Sequence, residues 1–192
     1  MAHRNGFSAF LKAALRDPMK VSTVFPSLRF LAQSLIKHSG MKPGQHVLEL
    51  GCGSGAVTQH ILKQSQGLAS YTGVEIDENL VAFLQSKYPE HRFICASAGE
   101  LKEHIADHSM DTIICTLPWT LFPLELQQQI VNEIIRILKP GGTFVTFLCL
   151  HALTYPGAPR IKKIFRATFQ DFKKSETISL NIPPANVYRG SL

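Results

Sequence analysis

The sequence predicts an α/β fold: a doubly wound, mostly parallel seven-stranded sheet with an antiparallel C-terminal strand and N-terminal amphipathic helices. Three observations carry this expectation. Strand-like apolar runs alternate with helical patterns from His46 to Leu150. The first strand runs into the closely spaced Gly51, Gly53 and Gly55, and then into a helix. The 192 residues are 45% hydrophobic and 18% charged, a globular balance with ample apolar material for a core.

The elements follow in order. Phe7, Phe10, Leu11 and Ala14 give an amphipathic helix from Phe7 to Arg16, which Asp17-Pro18 ends. A second helix starts after Pro26, with Leu28, Leu31, Ala32, Leu35 and Ile36 on one face. Then come a strand over His46–Leu50, a helix over Ala56–Gln66, a strand over Ser70–Glu75 and a helix over Glu78–Tyr88. Strands at Arg92–Cys95 and Asp111–Cys115 precede a long helix, Pro123–Leu138, and a strand, Thr143–Leu150. The tail differs. Thr177–Leu180 and Asn186–Arg189 flank a proline-rich turn and suit an antiparallel pair at the sheet edge, where prolines are tolerated.

Composition narrows the function. No window reaches the roughly 20 consecutive apolar residues of a membrane-spanning helix, and no secretory signal is expected. Cys52, Cys95, Cys115 and Cys149 form no CxxC pair and no zinc spacing, so no metal is expected; buried free thiols in a reducing cytosol are. The net charge of +6 is uneven: residues 1–30 carry +4, residues 31–159 carry −3 and residues 160–192 carry +5. Basic ends around an acidic middle suggest an anionic partner surface, nucleic acid or membrane; scattered solvated lysines are the plainer alternative.

The strongest motif is Glu49-Leu50-Gly51-Cys52-Gly53-Ser54-Gly55. Its glycines allow a tight turn and close approach of a ligand to the backbone. Read with Ala56 as G-x-G-x-x-A, the loop fits a dinucleotide. Glu49 weighs against that, because a carboxylate there repels a pyrophosphate but suits the ammonium of a methionyl group. Gly55 is expected to keep the loop open for that group. Glu75 ends the next strand, at the distance expected of a ribose-binding acid. Asp77 directly precedes a helix and reads as its cap.

Glu49 to Gly55, Glu75, and Leu138-Lys139-Pro140-Gly141-Gly142 before a strand together resemble class I S-adenosylmethionine-dependent methyltransferases, over about residues 40–150. The resemblance implies a Rossmann-like methyltransferase fold and S-adenosyl-L-methionine as cofactor, held by Glu49, Gly51, Gly53, Gly55 and Glu75. Ser97 stands where the family often has an acid for the adenine amino group, so Ser97 and the Ala98 backbone are expected there.

Three further segments resemble bacterial phospholipid N-methyltransferases, which convert phosphatidylethanolamine to phosphatidylcholine. They are Val21–Leu28, Cys115-Thr116-Leu117-Pro118-Trp119, and Asn181-Ile182-Pro183-Pro184-Ala185-Asn186-Val187-Tyr188. This resemblance implies one methyltransferase domain over 1–192, with residues 1–38 as membrane- or substrate-capping helices and 39–192 as the catalytic core. It implies a phospholipid substrate, an anionic membrane surface as partner, and a cytoplasmic, peripherally membrane-associated protein. Pro118 and Trp119 are expected to shape the acceptor's way in, Trp119 holding a methylated ammonium by cation–π attraction, and Tyr188 to meet the headgroup through its hydroxyl. His151 is expected to be structural. Water or a backbone carbonyl near Leu117–Pro118 is expected to take the amine's proton.

RNA or protein N-methylation and a soluble small-molecule acceptor are the alternatives. Nucleic acid is disfavoured because the asparagine that usually precedes Leu-Pro-aromatic in rRNA adenine dimethyltransferases is missing.

Overall fold

A computed structural model describes residues 28–64 and 67–192. The expected helix Phe7–Arg16, its role as an anchor, and Val21–Ser27 lie outside the described residues.

Helix α1 (Leu28–Ser39) buries Leu31, Ala32, Leu35 and Ile36, the stripe its periodicity predicts. Strand β1 (His46–Leu50) leads through the glycine loop to α2 (Thr58–Lys63). Then follow β2 (Ser70–Glu75), α3 (Glu78–Lys87), β3 (Arg92–Cys95) and β4 (Met110–Cys115). Asp77 caps α3 as expected: its Oδ1 accepts the N–H groups of Asn79 at 2.9 Å and Leu80 at 3.3 Å. A 3₁₀ turn (Trp119–Leu121) precedes α4 (Leu124–Ile137) and β5 (Leu138–Cys149). A second 3₁₀ turn (His151–Thr154), α5 (Gly157–Thr168), β6 (Gln170–Ile178) and β7 (Ala185–Ser191) complete the chain.

The seven strands run in the order β3-β2-β1-β4-β5-β7-β6. Strands β1 to β5 pair in parallel, and β7 lies antiparallel between β5 and β6. Strand order reverses between β1 and β4, so a crevice opens there at the carboxyl ends of the strands, where open α/β sheets bind ligands. Alternation divides the core. Leu48, Leu50, Ile113, Phe144 and Tyr188 face one side with residues of α4 and α5. Val47, Tyr71, Ile114, Val145 and Val187 face the other side with residues of α1, α2 and α3.

Several boundaries depart from expectation. Helix α2 starts at Thr58 rather than Ala56, because the glycine loop still turns there. Strand β5 begins at Leu138, since Leu138 pairs with Met110 before a register shift. Helix α5 was not expected; it forms because Ala158, Ile161 and Phe165 bury one narrow stripe beneath basic residues. Strand β6 reaches back to Gln170 with its lysines in solvent, as suits an edge. Cys95 is exposed rather than buried. No helix among the described residues is long and apolar enough to cross a membrane.

Candidate active site

The loop after β1 is drawn against β2: the N–H groups of Gly51 and Cys52 both donate to the Val74 carbonyl, at 2.8 and 3.2 Å. Gly51 (φ +84°) and Gly53 (φ +55°) hold left-handed backbone that side chains rarely adopt. A Cβ at Gly51 would also stand 2.8 Å from Leu117 Cδ2. The glycine therefore lets this loop and the β4 loop meet as adjoining walls. Thr116 ties them, its hydroxyl donating to the Gly51 carbonyl at 2.5 Å.

Glu75 is 7% exposed at the end of β2 and is held by backbone alone. Its Oε2 accepts the Gly53 N–H at 2.8 Å, and its Oε1 those of Ile76 at 2.7 Å and Asp77 at 3.1 Å. Three donors leave acceptor capacity on the carboxylate for a ligand diol. A cleft opens over these groups. Gly51, Gly53, Glu75, Ser97, Ala98 and Pro118 line it, joined by Ile76, Leu80, Thr116, Leu117, Phe122, Leu126 and Ile130. One carboxylate, the open Gly53 and an apolar wall fit a nucleoside with a small polar tail.

Glu49 is not in that wall. Alternation along β1 turns it to the side of Val47, away from Leu48 and Leu50. It is fully buried there. Its Oε2 accepts the hydroxyls of Tyr71 at 2.5 Å and Thr58 at 2.8 Å, while its Oε1 has no partner. The expected direct contact with a methionyl ammonium is thus corrected: Glu49 braces the glycine loop from beneath. Burial pushes its carboxyl up to about 7, against the Tyr71 and Thr58 hydrogen bonds and with help from the Glu75 charge. Gly55 (φ +85°) is also outside the cleft; a Cβ there would meet Leu84 Cδ2 of α3 at 2.8 Å, so it serves packing.

A second cavity, about 660 Å³, shares the Thr116–Leu117–Pro118 wall with the cleft. Phe147, Leu148 and Cys149 of β5 line it, with Thr120 and Leu121 of the first 3₁₀ turn and His151, Ala152 and Tyr155 in and after the second. Gly157 brings the start of α5 onto the first turn; a Cβ there would stand within 2.9 Å of three Thr120 backbone atoms.

Trp119 borders this cavity, but its ring is 1% exposed. The indole N–H donates to Thr146 Oγ1 at 2.8 Å, and the ring packs edge-on against Phe122, Phe144 and Phe165. The cation–π role expected of it is corrected: the ring is core and supports the turn that carries Pro118. Tyr188 is corrected likewise. It is 4% exposed, pairs with Thr146 well below the end of β5, and stacks on Phe172 with ring centres 5.7 Å apart. Burial raises its hydroxyl's pKa, and it lines neither cavity.

Sequence reasoning missed Thr116, Tyr71, Phe147 and Tyr155. The proximity of Thr116 to Leu-Pro-Trp was a usable signal; the Tyr71–Glu49 bond was not, because it depends on register.

Comparison with known proteins agrees with this geometry. Residues 47–142, half of the chain, match the family model described as a methyltransferase domain. The human thiol S-methyltransferase TMT1A is 31% identical over 121 residues, 60% of this chain and 47% of that protein, so the chain spans about half its length. The ornithine lipid N-methyltransferase of Singulisphaera acidiphila is 21% identical over 188 residues, 95% of this chain and 94% of that protein. Among solved structures, the 1,6-didemethyltoxoflavin-N1-methyltransferase of Burkholderia thailandensis, with bound S-adenosylhomocysteine, superposes with a TM-score of 0.70 at 20% identity, covering 97% of this chain and 89% of that one. The chain thus belongs to the methyltransferase-domain family, and its cofactor is S-adenosyl-L-methionine.

Proposed function

We propose that this methyltransferase acts on the amine headgroup of a membrane lipid, with phosphatidylethanolamine, methylated towards phosphatidylcholine, as the first candidate. The observation that carries the reading is exposed apolar surface at the second cavity and on the β6–β7 hairpin, whose Ala185 pairs with the cavity-lining Cys149. Leu180 and Ile182, on the tip of the β6–β7 hairpin, are 66% and 64% exposed. Leu150 is anchored to that tip through its N–H, which donates to the Pro184 carbonyl at 2.8 Å. Leu121 and Tyr155 continue the exposed apolar surface at the cavity itself. Exposed large apolar side chains on the same part of the chain as a cavity suit an acceptor with an acyl tail. Exposed Arg160, Lys163, Arg166, Lys173 and Lys174 lie in the elements that follow and complement an anionic bilayer. A peripheral position on the cytoplasmic membrane face is part of this reading. The near full-length match to a lipid N-methyltransferase supports it.

S-adenosyl-L-methionine supplies a methyl group activated on a sulfonium. The protein's own contribution is placement: Glu75 and the glycine loop fix the nucleoside, and the Thr116–Pro118 wall sets where the acceptor nitrogen meets the methyl.

A thiol acceptor is the second reading. No carboxylate lines the second cavity among the described residues, so none stands ready there to hold a cation. The relatives named as thiol S-methyltransferases point the same way. Incubation with methyl-labelled cofactor and vesicles of defined headgroup, beside a lipophilic thiol and RNA, decides between them. Label is expected in phosphatidylethanolamine; label in thiol or RNA and none in lipid overturns the proposal.

A further inference from the structure

We propose that His151 takes the proton from the acceptor amine, a role that rests on the aminolipid reading above. An ammonium has no lone pair, so its proton must leave before the nitrogen can attack.

The structure narrows the candidates. Among the described residues, the titratable side chains lining the two cavities are Glu75, Cys149, His151 and Tyr155. Glu75 lines the cofactor cleft and not the second cavity, and three backbone N–H groups hold it there. Burial pushes the Cys149 thiol up and keeps it protonated. Tyr155 carries a phenol, a proton donor at neutral pH. The backbone carbonyls of the shared wall can accept a hydrogen bond, as Leu117 does from the Trp119 N–H at 2.9 Å and Pro118 from that of Leu121 at 3.0 Å, but an amide oxygen is too weak a base to take the proton. That leaves the imidazole, the side chain best suited to gain and lose a proton near neutrality.

Its setting agrees. His151 opens the 3₁₀ turn directly beyond β5, and its carbonyl accepts the Thr154 hydroxyl at 2.8 Å, which braces the turn. Tyr155 stands edge-on to the imidazole with ring centres 6.2 Å apart. The residue borders the cavity yet is exposed, so a proton collected from the amine has a way out to water.

The step balances. One N–H proton of the ammonium passes to an imidazole nitrogen. The freed lone pair forms the N–C bond while the methyl C–S bond breaks, its electron pair remaining on sulfur. The imidazolium then releases its proton to solvent.

The test uses the full chain, labelled cofactor and vesicles containing phosphatidylethanolamine, comparing wild type with His151→Gln from pH 6 to 10. The variant should bind cofactor as wild type does, which also reports that it folds. Its kcat at pH 7 should fall about 100-fold, the lower end of general-base effects. The deficit should shrink as rising pH deprotonates the amine without help, and added imidazole should partly restore His151→Ala. A variant with wild-type kcat, or one lowered equally at every pH, overturns the assignment while leaving the lipid reading standing. A wild type that labels no aminolipid overturns both.

Discussion

Over β1 and β2 the sheet edge is polar and largely hydrogen-bonded, whereas over β4 and β5 it is apolar and open. On the first side, one carboxylate holds three backbone N–H groups, and a second braces the loop through Tyr71 and Thr58. On the other side, the cavity beyond Pro118 is lined by Leu121, Phe147 and Leu148, with Leu180 and Ile182 standing out in solvent nearby. Under the proposed function, the contrast teaches that the cofactor is held by backbone geometry set in advance. On the same reading, the acceptor meets a hydrophobic mouth with few polar groups.

The polar side breaks first at Glu49. Its carboxyl is raised by burial from 4.5 to about 7. The folded state therefore binds the extra proton between those values, and this stabilisation is full below about 4.5 and lost as pH rises through 7. Glu49→Gln removes the titration and should flatten that part of the pH–stability curve. The difference from wild type should amount to about 3 kcal/mol between pH 4.5 and 8. Chemical denaturation of the two cofactor-free proteins checks it; parallel curves would mean that Glu49 stays ionised.

Glu75→Ala comes next. It removes the diol acceptor and unpins the Gly53 N–H, so cofactor affinity should fall by about 1.5–3 kcal/mol, roughly 10- to 150-fold. Calorimetric titration of a variant with an unchanged circular dichroism spectrum reads this directly. Unchanged affinity would remove Glu75 from the site.

Tyr188→Phe should have the smallest effect. The stack on Phe172 survives the substitution, and the hydroxyl reaches neither cavity. Turnover should stay within about two-fold and stability within about 1 kcal/mol. A large loss of turnover with intact stability would return the hydroxyl to the headgroup.

The same contrast explains what the sequence made legible. The turn at Gly51 and Gly53 and the cap at Asp77 could be read because backbone geometry there favours those residue types. Glu49, Trp119 and Tyr188 could be found but not aimed. Which face of β1 or β7 a residue joins depends on register, and only the packed Phe122, Phe144 and Phe165 show that the Trp119 ring is enclosed. The mostly parallel sheet and the antiparallel β7 followed from the alternating pattern and the proline turn, whereas the strand order did not. Helix α5 did not, because its apolar stripe is narrow and its basic residues dominate the local composition.

The central claim, that the open side is a lipid-facing mouth separate from the cofactor half, has a direct test in Leu180→Asp combined with Ile182→Asp. Both side chains are mostly exposed, so the fold should tolerate the change. Charges there should keep the hairpin out of an anionic bilayer. Methyl transfer to vesicle phosphatidylethanolamine should drop at least about ten-fold, a loss of about 1.4 kcal/mol or more, with cofactor affinity unchanged. Wild-type transfer to vesicle lipid by this double variant would contradict the account.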